Sequence, residues 1–273
     1  MHYRMNRERI VHKLILDTKA NIPFPSAQLI IYQPSLAEVA LLGESNFFVA
    51  VNALTKDYKS MNFKDNSDLD NLTNFDILMS ITREKSENSK LIFVSILQLL
   101  ELILPGYKIG LTPSSIILQD IKIEEGVKPQ PHIIDKNNFD VFAQIIWEMF
   151  GVASLTGSAN AYDYNPAGDR ARALVEKFKK KQEYLAQLRK ERGEDTATAS
   201  IFGRYINILA VGEQKDKNQL AQYSVYQLIE EFKRFQLKET FDYTLQAKMA
   251  GAKNVKDAKD WMQDITLGVE KEE

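Results

Sequence analysis

Leu29-Ile30-Ile31-Tyr32-Gln33-Pro34-Ser35-Leu36-Ala37-Glu38 joins two kinds of secondary structure in a short stretch. Residues 29–32 are rich in β-branched side chains and read as a strand, and Pro34 ends the run because it has no amide to give to a ladder. Ser35 and Glu38 then stand at capping-box spacing, with Ser at the cap and Glu three residues on. A helix should follow to about residue 54, with Gly43 interrupting it.

Upstream, Ile22-Pro23-Phe24-Pro25 must be extended, since each Pro fixes its own φ and restrains the residue before it. The short apolar run 10–16 reads as another strand. Downstream, 65–70 is a polar, acidic loop and helices are expected at about 75–82 and 89–104, the second stopped by Pro105-Gly106. Residues 107–111 and 115–119 flank Thr112-Pro113-Ser114 as a hairpin, with Gly110 in one arm. A helix over 137–150 has apolar positions at Phe139, Phe142, Ile146 and Phe150, and Gly151 stops it.

Residues 153–164 are small and polar, the composition of a linker. Beyond them every segment reads as helix. Asn165-Pro166 supplies a cap and a first-turn proline for a helix to about 192. Others are expected at 201–211, 225–249 and 257–265, before an acidic tail at 270–273. The expected fold is α+β: an N-terminal domain over 1–152 with a few antiparallel strands and several helices, the linker 153–164, and an all-α domain over 165–273. No solenoid period repeats.

At 273 residues, with 44% hydrophobic and 26% charged, the chain has the composition of a globular protein rather than a disordered one. A net charge of -2 offers no global attraction to nucleic acid or to a membrane surface. Cys is absent, which removes disulfides, thiolate nucleophiles and Cys-based metal sites. The longest apolar stretch, 91–104, is interrupted by Ser95, Gln98 and Glu101 and is too short to span a bilayer. The basic N-terminus lacks the apolar core of a signal peptide. The expectation is a soluble, intracellular protein.

Chemistry has few footholds. The three histidines, His2, His12 and His132, show no metal-ligand spacing, and His132 is placed in a Pro-rich loop. Neither GxxxxGK[ST] nor GxGxxG occurs, so no phosphate cradle is indicated. Ser158 follows Gly157 but lacks the nucleophile-elbow frame. Asp68/Asp70, Glu124/Glu125 and Glu230/Glu231 are neighbours in sequence, which suits solvated loops and helix faces better than two carboxylates converging in a cleft. The expectation is no catalytic, cofactor or metal site, and no enzyme.

Two helices stand out instead. Between residues 170 and 192 nine Lys/Arg face three Glu, a local +6 that would let a helix track phosphates. The same helix has an apolar stripe of Leu174, Phe178, Leu185 and Leu188, and few aromatics for base stacking, so packing or docking on protein is favoured over nucleic acid. In the second, Val225, Leu228, Ile229, Phe232 and Phe235 hold helical spacing and Phe241, Leu245 and Met249 continue on a shifted face. A helix apolar on more than one face is central or shares a face with a partner. Candidate partner-binding residues are therefore Phe178, Lys181, Leu185, Arg189, Tyr226, Phe232, Phe235 and Trp261.

Tyr164-Asn165-Pro166-Ala167-Gly168-Asp169-Arg170-Ala171 opens the charged helix, and Tyr226 to Phe235, Leu245 to Lys253 and Trp261 follow it. This order resembles the C-terminal region of tail and baseplate assembly proteins from large tailed bacteriophages. Ile31-Tyr32-Gln33-Pro34-Ser35 leading to Leu42-Gly43-Glu44-Ser45-Asn46-Phe47-Phe48 is similar to the same group. The resemblance implies a non-enzymatic viral protein, made in the host cytoplasm, that builds the tail or baseplate hub through contacts with other tail or baseplate proteins or with itself. It also leaves open whether such a protein leaves after assembly or stays as a structural subunit of the virion. Nucleic-acid binding by 170–192 is the alternative, and no membrane partner is expected.

Overall fold

Ser35 caps a helix as its spacing requires. In the computed structural model, which describes residues 10–11, 13–58, 72–121, 131–151, 200–251, 257 and 261–262, the Ser35 amide donates to the Glu38 carboxylate at 2.8 Å and the Glu38 amide to Ser35 Oγ at 3.3 Å. The Tyr32 hydroxyl donates to the same carboxylate at 3.2 Å. Strand β2 (Leu29–Tyr32) thus runs through one tied corner into α2 (Leu36–Leu42). Gly43, at φ +88°, then turns the chain so that α3 (Glu44–Thr55) leaves at 95° to α2. That φ is open to glycine and strained for other residues.

β2 pairs with β1 (Asn21–Phe24) in an antiparallel ribbon, Asn21 opposite Tyr32 and Phe24 opposite Leu29. Ile22, Phe24, Leu29 and Ile31 are buried on one face by the two-residue alternation of a half-buried strand. The run before it corrects the expectation of a strand at 10–16: residues 10, 11 and 13–16 are helical, here α1. Val11 and Leu14 are buried while Lys13 and Leu16 are exposed, which is helical spacing. A strand would have turned Lys13 inward with Val11.

Helix α5 (Glu87–Ile103) packs against α3 and against α4 (Asn74–Arg83), and α4 begins with a second capping box, Thr73 to Asp76. After α5 comes the expected hairpin, β3 (Tyr107–Leu111) with β4 (Ser115–Asp120). The sheet gains a third antiparallel strand, β5 (His132–Asp135), before α6 (Phe139–Met149). His132 is therefore the first residue of a strand and not part of a loop. Its Nδ1 lies 3.0 Å from the Ala27 carbonyl and its Nε2 3.3 Å from the Asp120 carboxylate, tying β5 to β4 and to the turn after β1.

Among the described residues three helices follow: α7 (Ile201–Gly212), the short α8 (Lys217–Ala221), which the sequence reading did not include, and α9 (Val225–Met249). They share one hydrophobic cluster with the N-terminal elements. Phe202 of α7 meets Phe47 and Phe48 of α3 at 5.7 and 5.3 Å between ring centres, and Phe47 meets Phe150 edge-on at 4.9 Å. Ser224, the N-cap of α9, forms a β-bridge with Ser35, the cap of α2, and the Leu36 amide donates to the Tyr223 carbonyl at 2.8 Å. Gln227 Nε2 donates to the Ile15 carbonyl of α1 at 2.9 Å. Antiparallel ribbon, three-stranded sheet and helices make the fold α+β, with a helical C-terminal part.

Candidate protein-docking groove

Helix α7 carries one charge, Arg204, and one polar amide, Asn207, and its other residues are apolar, aromatic or glycine. Phe202 and Leu209 are buried, and Tyr205 and Ile206 pack beside them against the core. The opposite stripe, Ile201, Ile208 and Val211, is exposed at 37, 36 and 82%. A helix apolar on both faces has only one of them covered here.

The uncovered stripe is one wall of a groove of about 720 Å³, lined on α7 by Gly203, Arg204, Asn207, Ile208 and Val211 and closed by Phe235 of α9. Two local features shape it. The Phe235 ring lies against the bare backbone of Gly212, where any Cβ would overlap it. Tyr205 and Phe232 stack at 4.0 Å and 10°, fixing the crossing of α7 over α9. The open end of α7 is anchored as well: Ser200 Oγ accepts from the Gly203 amide at 2.7 Å, and the Glu44 carboxylate accepts from the Ile201 amide at 2.5 Å.

A smaller, charged recess of about 370 Å³ lies between α1 and α9, lined by Ile15, Tyr223, Tyr226, Glu230, Glu231 and Arg234, among others. Lys215 pairs with Glu231 and, at 3.1 Å, with Glu213, while Arg234 Nε lies 3.6 Å from Glu230. Burial pulls the Lys215 ammonium down, but the hydrogen bonds and charges of Glu231 and Glu213 outweigh it and hold it above the ordinary lysine value. Glu230 and Glu231, expected on a solvated face, are instead part-buried members of ion pairs that brace α9. Among the described residues no group of three or more His, Asp or Glu could hold a metal ion. No single described helix is long and apolar enough to cross a membrane.

The candidate residues divide three ways. Phe178, Lys181, Leu185 and Arg189, with the linker and the basic helix, lie outside the described residues. Tyr226 is buried, and Phe232 and Phe235 are part-buried against the chain's own core, so of these only Phe235 lines the groove. Trp261 is half-buried and its carbonyl accepts from Arg234 Nη1 at 2.9 Å. With the Lys248–Asp257 ion pair, this bond places residues 257 and 261 beside α9. The expected helix 257–265 is otherwise outside the described residues. The groove wall itself, Arg204, Ile208 and Val211, was missed, although apolar residues at 201, 208 and 211 already stood at seven- and three-residue spacing.

The chain thus joins an α+β body to a helical C-terminal part that carries an open apolar groove. Residues 198–266, which include every residue lining the groove, match the family model described as the YomV second domain, a phage-derived domain family. No curated protein and no solved structure matches the chain.

Proposed function

We propose that this protein acts without catalysis in the assembly of a phage tail or baseplate hub, through protein–protein contacts made by the α7–α9 groove. The observation that carries the reading is the position of that groove: an open, mainly apolar recess falls within the segment that matches a phage-derived domain family. Apolar side chains left open to water on a helix whose other face is buried are available to pack against a partner. The order of motifs in the sequence adds the resemblance to tail and baseplate assembly proteins. The test is affinity purification of the tagged chain from infected host cells through the time of tail assembly, with mass spectrometry of the complexes and of purified virions. Tail or baseplate proteins should copurify; their absence from the complexes, together with absence of the chain from virions, overturns the proposal.

A further inference from the structure

The groove has a chemistry that narrows its occupant, given the reading that the protein works through protein contacts. Its α7 wall is helical throughout: the lining positions recur at steps of three and four residues from Ser200 to Gly212, over about 18 Å at the helical rise. A wall of that period accepts the ridge of another helix. No described strand lines the groove, so there is no sheet edge to extend. Gly203 and Asn207 keep the wall low enough for a helix backbone to come close.

Arg204 sets the charge. It is exposed, lies in the groove among Ile208, Val211 and Phe235, and has no carboxylate partner among the described residues. A helix covering this wall would take the guanidinium partly out of water, and a carboxylate placed against it is the partner that best offsets that cost. A second copy joined through α7 brings none, because α7 has no acidic residue and the seam would hold two arginines. The geometry points to one amphipathic helix of a different protein, with an apolar ridge of small and aliphatic residues and one Asp or Glu on that ridge to pair with Arg204.

A panel of stapled helical peptides of about twelve residues, long enough to span the wall, with Leu- and Ala-rich ridges and one central Glu, Gln or Lys, would be titrated against the full chain by fluorescence anisotropy. Folding of every variant is checked by circular dichroism. Glu-bearing peptides should bind the wild-type chain about tenfold more tightly than their Gln counterparts, as a charge-assisted contact requires. Arg204→Glu should reverse the preference toward the Lys peptides. Val211→Glu, at a site already exposed, should abolish binding while leaving the fold intact. Absence of binding, equal affinity for the three peptide classes, or indifference to both substitutions overturns the inference. A dimer in light scattering that Val211→Glu dissolves also overturns it, since the groove then belongs to a second copy. Failure here while tail proteins still copurify removes only this occupant; peptide binding without any tail protein in the complexes removes only the wider reading.

Discussion

The Glu44 carboxylate, in the first turn of α3, accepts a hydrogen bond from the Ile201 amide, in the first turn of α7, at 2.5 Å across 157 positions of chain. Helix N-terminal amides have no partner within their own helix, so a carboxylate placed there satisfies a donor and complements the helix dipole. The same contact fixes where the groove wall begins. Glu44→Ala should lower stability by about 1 kcal/mol, the usual loss for a capping acceptor. Hydrogen exchange at Ile201 and Phe202 should rise well above that in the rest of α7, and unchanged exchange there would show that the carboxylate does not hold the helix.

Gly212 and Phe235 form the floor of the groove by close approach. Gly212→Ala should displace the ring and lower stability by about 1–3 kcal/mol, as expected for overpacking. Phe235→Ala removes the obstruction, so in the double variant the penalty of the alanine at 212 should largely vanish. Denaturant unfolding of the two single variants and the pair measures this, and additive losses would place the strain elsewhere.

Much of this was open to sequence reasoning, and what was missed has physical causes. The strand 29–32, the box at Ser35 and Glu38, the hinge at Gly43 and the hairpin around Pro113 are decided locally, by β-branching, capping and the φ of Pro and Gly. Helix 225–249 has the same bounds in the structure because its apolar spacing persists for several turns. Residues 10–16 were misread because a run of seven contains too few periods to separate a strand from a helix, and the Gln227 contact that seats it is remote. β5 is four residues long and is held by Ala27 and Asp120, which no local pattern reveals. The groove was hidden for a related reason. Which apolar face of α7 is covered depends on Phe47, Phe48 and Phe232, from helices far away in sequence.

Tyr58 is 5% exposed and its hydroxyl donates to the Ala53 carbonyl at 2.9 Å. Burial pushes its pKa up from 10.0 to about 12. A phenol that ionises less readily folded than unfolded contributes stability below pH 10 and loses it as the pH rises towards 12. Unfolding midpoints should therefore fall across that window in the wild type. They should fall less in Tyr58→Phe, which is expected to be somewhat less stable at neutral pH for want of the hydrogen bond. Parallel pH profiles for the two proteins would count against a buried, neutral Tyr58.

Glu38 gives the opposite sign. Burial raises its carboxyl, but the Ser35 amide and hydroxyl, the Tyr32 hydroxyl and Lys19 more than offset this and hold its pKa below the ordinary 4.5. Its contribution is thus present above that value and lost as the pH falls through the lower folded pKa. Glu38→Gln should flatten this part of the acid limb of the stability profile while keeping α2, since Gln also serves a capping box. An acid limb as steep as in the wild type would assign the acid sensitivity to other carboxylates.

Phe202 decides whether the C-terminal helices stand alone. Its ring is 6% exposed and lies between the aromatic pair Phe47 and Phe48 of α3, while Ser224 and Tyr223 are hydrogen-bonded into the start of α2. Elements that share one core lose their neighbours' support when one leaves, so they unfold together. Phe202→Ala should cost about 3–5 kcal/mol, the range for a large aromatic removed from a core. It should shift a single transition seen alike by circular dichroism of the whole chain and by exchange of the β2 and α3 amides. An independent helical domain would behave otherwise, with its own transition moved to lower denaturant and that of β2 and α3 left in place. The bonds from Leu36 to Tyr223 and from Gln227 to Ile15 argue for the first outcome, because releasing α9 strands a donor or an acceptor in both α1 and α2.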